Sequence, residues 1–158
     1  MEPTAPFPAA SGRIAGIDFG TVRIGIAVSD PERIIASPLE NYTRRGKEQD
    51  SKRFRQLVTE ERVALFVVGL PVHLDGRESE KSKEARQFGQ WLNEITGVPV
   101  EFFDERFTSH EAEQYLLGAE LTKKRRKKRL DMLAAQIMLS AYLESRGRSG
   151  ESSQGLDD

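Results

Sequence analysis

An α/β fold is what this sequence predicts: a five-stranded mixed sheet, three antiparallel strands then two parallel ones, flanked by helices. Two observations carry that expectation. Residues 13–40 are Ile/Val/Ala/Gly-rich runs broken by short turns, and the next sixty or so alternate helical with strand-like periodicity. A third is length, since 158 residues suit one domain of ordinary size.

Arg13 to Phe19 and Arg23 to Ser29 read as two strands, separated by Gly20-Thr21-Val22 at hairpin spacing. After the Ser29-Asp30-Pro31 turn, Ile34 to Glu40 reads as a third, completing a meander. Gln49 to Arg62 then places Phe54, Leu57 and Val58 on one helical face, and Ala64 to Gly69 is a continuous apolar run of the kind buried on both faces of a sheet. A turn at Asp75-Gly76 leads to a second helix with Ala85, Phe88, Leu92 and Ile95 on one face, and Val98 to Asp104 reads as the fifth strand. Strand alternating with helix implies parallel pairing.

Thr108 and Glu111 fit a capping box that starts a short helix ending near Gly118. From Arg129 to Glu144, Leu130, Leu133, Ala134, Ile137, Met138 and Ala141 recur at helical spacing and predict a final helix. The order of these elements is that of an RNase H-like domain, an analogy at the level of fold. Residues 13–146 are expected to form that domain, with residues 1–12 a proline-containing disordered tail and 147–158 a disordered acidic one.

The balance of 37% hydrophobic and 31% charged residues is that of a globular chain. With no cysteine, disulfides and thiolate metal sites are excluded, so any metal is held by oxygen or imidazole. No apolar run approaches the roughly 20 residues of a membrane helix, and the first residues lack the pattern of a secretory signal, so the expected location is cytoplasmic. Net charge is only −1, but its distribution is uneven: Lys123, Lys124, Arg125, Arg126, Lys127, Lys128 and Arg129 form seven consecutive cations. They read as a phosphate-contacting strip or, alternatively, as a solvated charge run.

Asp18 closes the first strand just before Gly20-Thr21, at a sheet rim where ligands commonly bind; the competing reading is an aspartate that merely shapes the turn. Asp131 opens the final helix on the stripe of Ala134, Ala135 and Met138, facing the sheet or else complementing the helix dipole. His73 and His110 lack metal-ligand spacing, and Phe54, Phe88 and Trp91 sit at helical spacing and read as core, not as base-stacking platforms.

The run Gly16-Ile17-Asp18-Phe19-Gly20-Thr21-Val22-Arg23-Ile24-Gly25-Ile26-Ala27-Val28-Ser29-Asp30 resembles the opening motif of the YqgF/RuvX family. Three further blocks agree in order: Val67-Val68-Gly69-Leu70-Pro71 with Asp75-Gly76, Asp104-Glu105-Arg106-Phe107-Thr108-Ser109, and Asp131 with Ala134-Ala135. Val22, His73 and Arg77 depart from residues common in that family, all in loops. The resemblance implies an RNase H-like nuclease of the bacterial cytoplasm, acting on Holliday junctions or on the precursor of small-subunit ribosomal RNA. It carries the acidic positions over to Asp18, Glu105 and Asp131.

Phosphodiester hydrolysis fits such a triad, because two divalent cations activate water and neutralise the leaving oxygen, and hard Mg²⁺ or Mn²⁺ prefers carboxylates. Neighbouring residues on a strand point to opposite faces, so Asp104 and Glu105 are not both expected to serve, and Glu105 is preferred. Asp75 and Thr21 are secondary candidates, and Arg23 and Arg106 are candidates for phosphate contact or for ion pairs with the acids.

The leading reading is therefore a metal-dependent endonuclease processing the 5′ end of pre-16S rRNA, with a junction resolvase as the alternative. Two less favoured readings are an actin-like nucleotide-binding module, for which the chain has room for only one lobe, and a nucleic-acid binder without catalysis. RNA and DNA are not distinguished. A resolvase making two symmetric cuts implies a homodimer, and trimming one RNA end needs only a monomer.

Overall fold

A computed structural model of the chain describes residues 11–71, 79–104 and 132–146. Its sheet has five strands in the order β3-β2-β1-β4-β5, formed by β1 (Arg13–Asp18), β2 (Arg23–Ser29), β3 (Ala36–Thr43), β4 (Val63–Leu70) and β5 (Val100–Asp104). β1 pairs antiparallel with β2, from Ala15↔Val28 to Asp18↔Gly25, and β2 pairs antiparallel with β3. β4 runs parallel to β1 on one side and to β5 on the other. The predicted split into three antiparallel and two parallel strands is what forms, with β5 two positions from β1.

Helix α1 (Lys47–Glu61) starts after Gly46, whose φ of 110° favours glycine, and carries Glu48 and Asp50 in its first turn, where acids complement the helix dipole. It buries Asp50, Phe54 and Leu57, and ends at Arg62 in the left-handed region. Helix α2 (Glu80–Thr96) is capped by Ser79, whose hydroxyl accepts from the Ser82 N–H at 3.1 Å, and ends at Gly97 with φ 75°. Residues 132–146 form a further helix, α3.

The helices lie on opposite faces of the sheet. α1 and α2 cover one face, where Ile17, Ile26, Phe54, Phe66, Phe88 and Leu92 form a core. α3 covers the other, packing Met138, Leu139 and Leu143 on Ile14, Leu65 and Val67. β4 contributes to both cores, with Phe66 and Val68 on one and Leu65 and Val67 on the other. That explains its unbroken apolar sequence.

Two expectations are corrected. The third strand begins at Ala36, not Ile34, because the Asp30 carboxylate accepts the N–H groups of Ile34 (2.7 Å) and Ile35 (2.9 Å). Arg33 takes a φ of 61°, and both isoleucines stay exposed in the connection. The stripe buried by α3 is Ala135, Met138, Leu139, Tyr142 and Leu143; of the expected stripe Met138 is fully buried, as is Ala135 beside it, whereas Leu133, Ala134, Ile137 and Ala141 are only partly buried, so the face is turned by about one residue. Tyr142 accounts for the rotation: its ring meets Phe103 edge-on at 5.8 Å, and its hydroxyl donates to Glu101 of β5 at 3.1 Å.

Candidate active site

Alternation along β1 decides where Asp18 points. Ile14 packs among the α3 residues, and Ala15 and Ile17 belong to the core beneath α1 and α2. A side chain at Gly16 would enter α3, since its Cβ would lie 2.9 Å from Leu139 Cβ and 3.4 Å from the Ala135 carbonyl. Asp18 therefore lies at the carboxyl end of the central strand, on the α3 face. Gly16 is the reason the helix can come so close, and Asp18 lies two positions further along the strand, with Ile17 between them.

Beyond Asp18 the chain turns sharply. A Cβ at Gly20 would fall 2.3 Å from the Arg23 carbonyl oxygen, so only glycine fits the return into β2. The Arg44 N–H, at the end of β3, donates to the Val22 carbonyl at 2.9 Å and ties this turn to the sheet. Thr21 and Val22 are exposed at its tip, and with half-buried Arg23 they border a hollow closed by Lys81 and Glu84 of α2.

At the end of β5 the pleat separates two adjacent candidates. Phe103 packs toward α3, so Asp104, paired in register with Leu70, belongs to the α1/α2 face and is exposed. Asp18 and Asp104 thus share a rim and not a face. Among the described residues no group of three or more His, Cys, Asp or Glu is arranged to hold a metal ion. Glu105, Asp131, Asp75, Arg106, His73, His110 and Lys123 to Arg129 lie outside the described residues.

A second arrangement near the rim was not anticipated from the sequence. Asp50, fully buried, accepts from the Tyr42 hydroxyl at 2.6 Å, the Arg45 N–H at 2.9 Å and Arg44 Nε at 3.4 Å. Burial, reinforced by that bond, pushes the Tyr42 hydroxyl up to about 12. Thus held, the Arg44 guanidinium lies over the rings of Phe19 (5.2 Å) and Phe88 (5.8 Å). The available signal was a charged residue, Asp50, at helical spacing with Phe54 and Leu57. Phe54 and Phe88 are core as expected, whereas Trp91 is only partly buried.

The profile of the RuvX family, described as Holliday junction resolvase, matches residues 12–145. A relative from Rhodopirellula baltica, named "Putative pre-16S rRNA nuclease", is 49% identical over 145 residues, covering 92% of this chain and 83% of its own length. One of the same name from Koribacter versatilis is 42% identical over 139 residues, covering 88% and 91%. Among solved structures, Thermus thermophilus RuvC in complex with Holliday junction substrate superposes with a TM-score of 0.54 at 18% identity, covering 86% of this chain and 96% of that one. The fowlpox virus Holliday junction resolvase gives 0.52 at 11%, covering 84% and 98%. These two likenesses establish the RNase H-like fold. No helix among the described residues is long and apolar enough to cross a membrane. With the profile and both relatives spanning most of its length, the chain belongs to the RuvX family.

Proposed function

We propose that this chain is a metal-dependent endonuclease whose active centre is made by Asp18, Glu105 and Asp131, and that it processes the 5′ end of pre-16S rRNA in the cytoplasm. Cleavage of phosphodiester bonds is the activity of its family. The observation that carries the choice of residues is the close seating of α3 on β1 at Gly16.

Asp18 is two residues along the strand from that contact, about 7 Å. In sequence Asp131 is four residues before Ala135, about 6 Å if the helix continues that far. Positions 131, 135, 138 and 142 recur on one helical face, and the last three are buried against the sheet. With the helix so continued, both carboxylates would belong to the neighbourhood of one contact. For Glu105 the support is the pleat: if β5 runs one residue further, that position returns to the face of Asp18. Two strand spacings, about 9–10 Å, separate β1 from β5, a gap suited to the longer glutamate side chain.

Carboxylate oxygens are the donors that Mg²⁺ or Mn²⁺ prefers, and two such ions held there would supply the charge that activates water and neutralises the leaving oxygen. The protein's own part is to hold carboxylates of like charge together on a rigid strand and helix and to orient the phosphate. Arg23, Thr21, Arg106 and the strip from Lys123 to Arg129 are the candidates for that orientation. Asp75 remains a rival ligand, and the parity of β5 argues against Asp104.

The test is cleavage of precursor 16S rRNA by the purified chain with Mg²⁺ or Mn²⁺. Outer-sphere partners of metals already contribute about 10–100-fold, so removing a direct ligand in Asp18→Asn is expected to cost at least about 100-fold, with an unchanged circular dichroism spectrum. Full activity in the variant rejects the centre. Replacing Lys123, Lys124, Arg125 and Arg126 by glutamine is expected to weaken RNA binding and flatten its salt dependence, and an unchanged salt slope removes the strip from the interface.

The family's description favours a second reading, cleavage of branched DNA. A synthetic four-way junction assayed beside the RNA precursor, with the mass of the active species measured, decides between one cut by a monomer and two by a homodimer.

A further inference from the structure

The rim carries more than the carboxylates. Phe19 follows Asp18 directly but packs on the other side of the sheet, against Phe88, with ring centroids 4.9 Å apart. Phe88 in turn meets Trp91 at 5.5 Å, so three rings lead from the end of β1 along α2. Trp91 leans edge-on against Phe54 at 6.5 Å, which fixes its indole, yet it remains partly exposed. It lines an open groove with Phe19, Thr21, Arg44, Lys47 and Gln87.

This groove is continuous with the hollow at the β1–β2 turn, since Phe19, Thr21 and Glu84 border both. Along the two, the lining carries four cations, Arg23, Arg44, Lys47 and Lys81, and one carboxylate, Glu84, with Arg44 also bonded to the buried Asp50. A fixed, half-exposed indole flanked by cations is the combination that holds unpaired nucleotides: the ring takes a base face, and the cations take the phosphates without reading sequence. An apolar peptide would make no use of the positive charge along the groove, and a rigid duplex would offer the indole no free base.

We propose that the groove between α1 and α2 binds an unpaired stretch of the nucleic-acid substrate, with a base stacked on Trp91 and phosphates against Arg44 and Lys47. The proposal rests on the nuclease reading for its choice of ligand and assigns Trp91 to substrate contact. The path starts one residue from Asp18 and on the opposite face. A strand leaving the carboxylate centre over the rim therefore enters it at Phe19. Asp50 acts as a positioning residue by holding Arg44 over the rings.

Trp91 is the only tryptophan in the chain, so its emission reports the groove directly. The experiment titrates the full chain, without divalent cations, with unlabelled oligouridylate, oligothymidylate and a blunt RNA duplex, while fluorescence anisotropy of labelled copies gives binding independently. Either single strand is expected to quench Trp91 emission as it binds, and the one that does so at lower concentration identifies the preferred backbone. The blunt duplex should leave emission unchanged. Trp91→Leu is expected to weaken single-strand binding roughly 10-fold by anisotropy. Lys47→Gln, at an exposed position that folding does not need, should weaken it less and reduce its salt dependence.

Single strands that bind by anisotropy with Trp91 emission unchanged, or that do not bind, overturn the proposal, as does quenching by the blunt duplex alone. No metal or cleavage enters this measurement. An active Asp18→Asn variant would therefore remove the carboxylate centre while leaving the groove standing, and absent quenching would remove the groove alone.

Discussion

The two faces of the sheet are packed differently. On one, α3 sits so close to β1 that Gly16 has no room for a methyl group, and at that contact the interface is made by small or aliphatic residues, Ala135, Met138 and Leu139. On the other, α1 and α2 stand off on a layer of large rings, Phe54, Phe66 and Phe88. Close approach of backbones suits a centre in which short carboxylates from separate elements must meet. A thick aromatic layer instead leaves ring edges and planes at its margin, where Phe19 and Trp91 border the groove.

Exchanging glycine for alanine on each face breaks this contrast most forcefully. Gly16→Ala pushes a Cβ to 2.9 Å from Leu139 Cβ, an atom fixed to the α3 backbone, so a cost of about 2–3 kcal/mol in urea unfolding is expected, with activity falling as α3 is displaced. Gly89→Ala meets the tip of the Phe102 ring at 2.6 Å, but that ring lies on the edge strand and is only partly buried. It can shift, and alanine gains about 0.5–1 kcal/mol of helix preference, so the net change should stay within about 1 kcal/mol. Equal costs for the two would mean that the faces are packed alike.

Between these lies Tyr42→Phe, which removes one of the bonds satisfying buried Asp50 and should cost about 1–2 kcal/mol. It also carries a pH signature. The Tyr42 hydroxyl ionises near 12 in the folded chain against an ordinary value of 10.0, so the folded state holds its proton more tightly. Its contribution is complete below pH 10 and is lost as pH rises from about 10 to about 12. Unfolding free energy should fall across that window less steeply in the phenylalanine variant, and identical slopes would show that Tyr42 does not titrate there.

Most of the fold was readable because local pattern and burial coincide. The meander, the doubly buried β4 and both helix faces follow from periodicity alone, and Asp18 was identifiable as the polar residue that ends a buried strand. The start of β3 was misplaced because one side chain, Asp30, satisfies two backbone donors that a strand pattern assigns to a neighbour. The face of α3 was placed correctly at Ala135 and Met138 but turned by about one residue elsewhere, because Tyr142 is drawn inward by Glu101 and Phe103, a tertiary preference that counting apolar residues overlooks. Gly16 and Trp91 escaped for a related reason. A glycine is marked as a contact point, and an indole as half-exposed, only by what stands opposite.

The proposed hydrolytic carboxylates gather on the α3 face of the sheet rim. Adjacent residues at the end of β5 test this placement most directly, because one step along a strand changes the face. Metal-dependent cleavage is measured for Glu105→Gln and Asp104→Asn in parallel. Loss of at least about 100-fold in Glu105→Gln, with Asp104→Asn near full activity, is the predicted result. Loss in Asp104→Asn with Glu105→Gln unaffected would place the chemistry on the opposite face and contradict it.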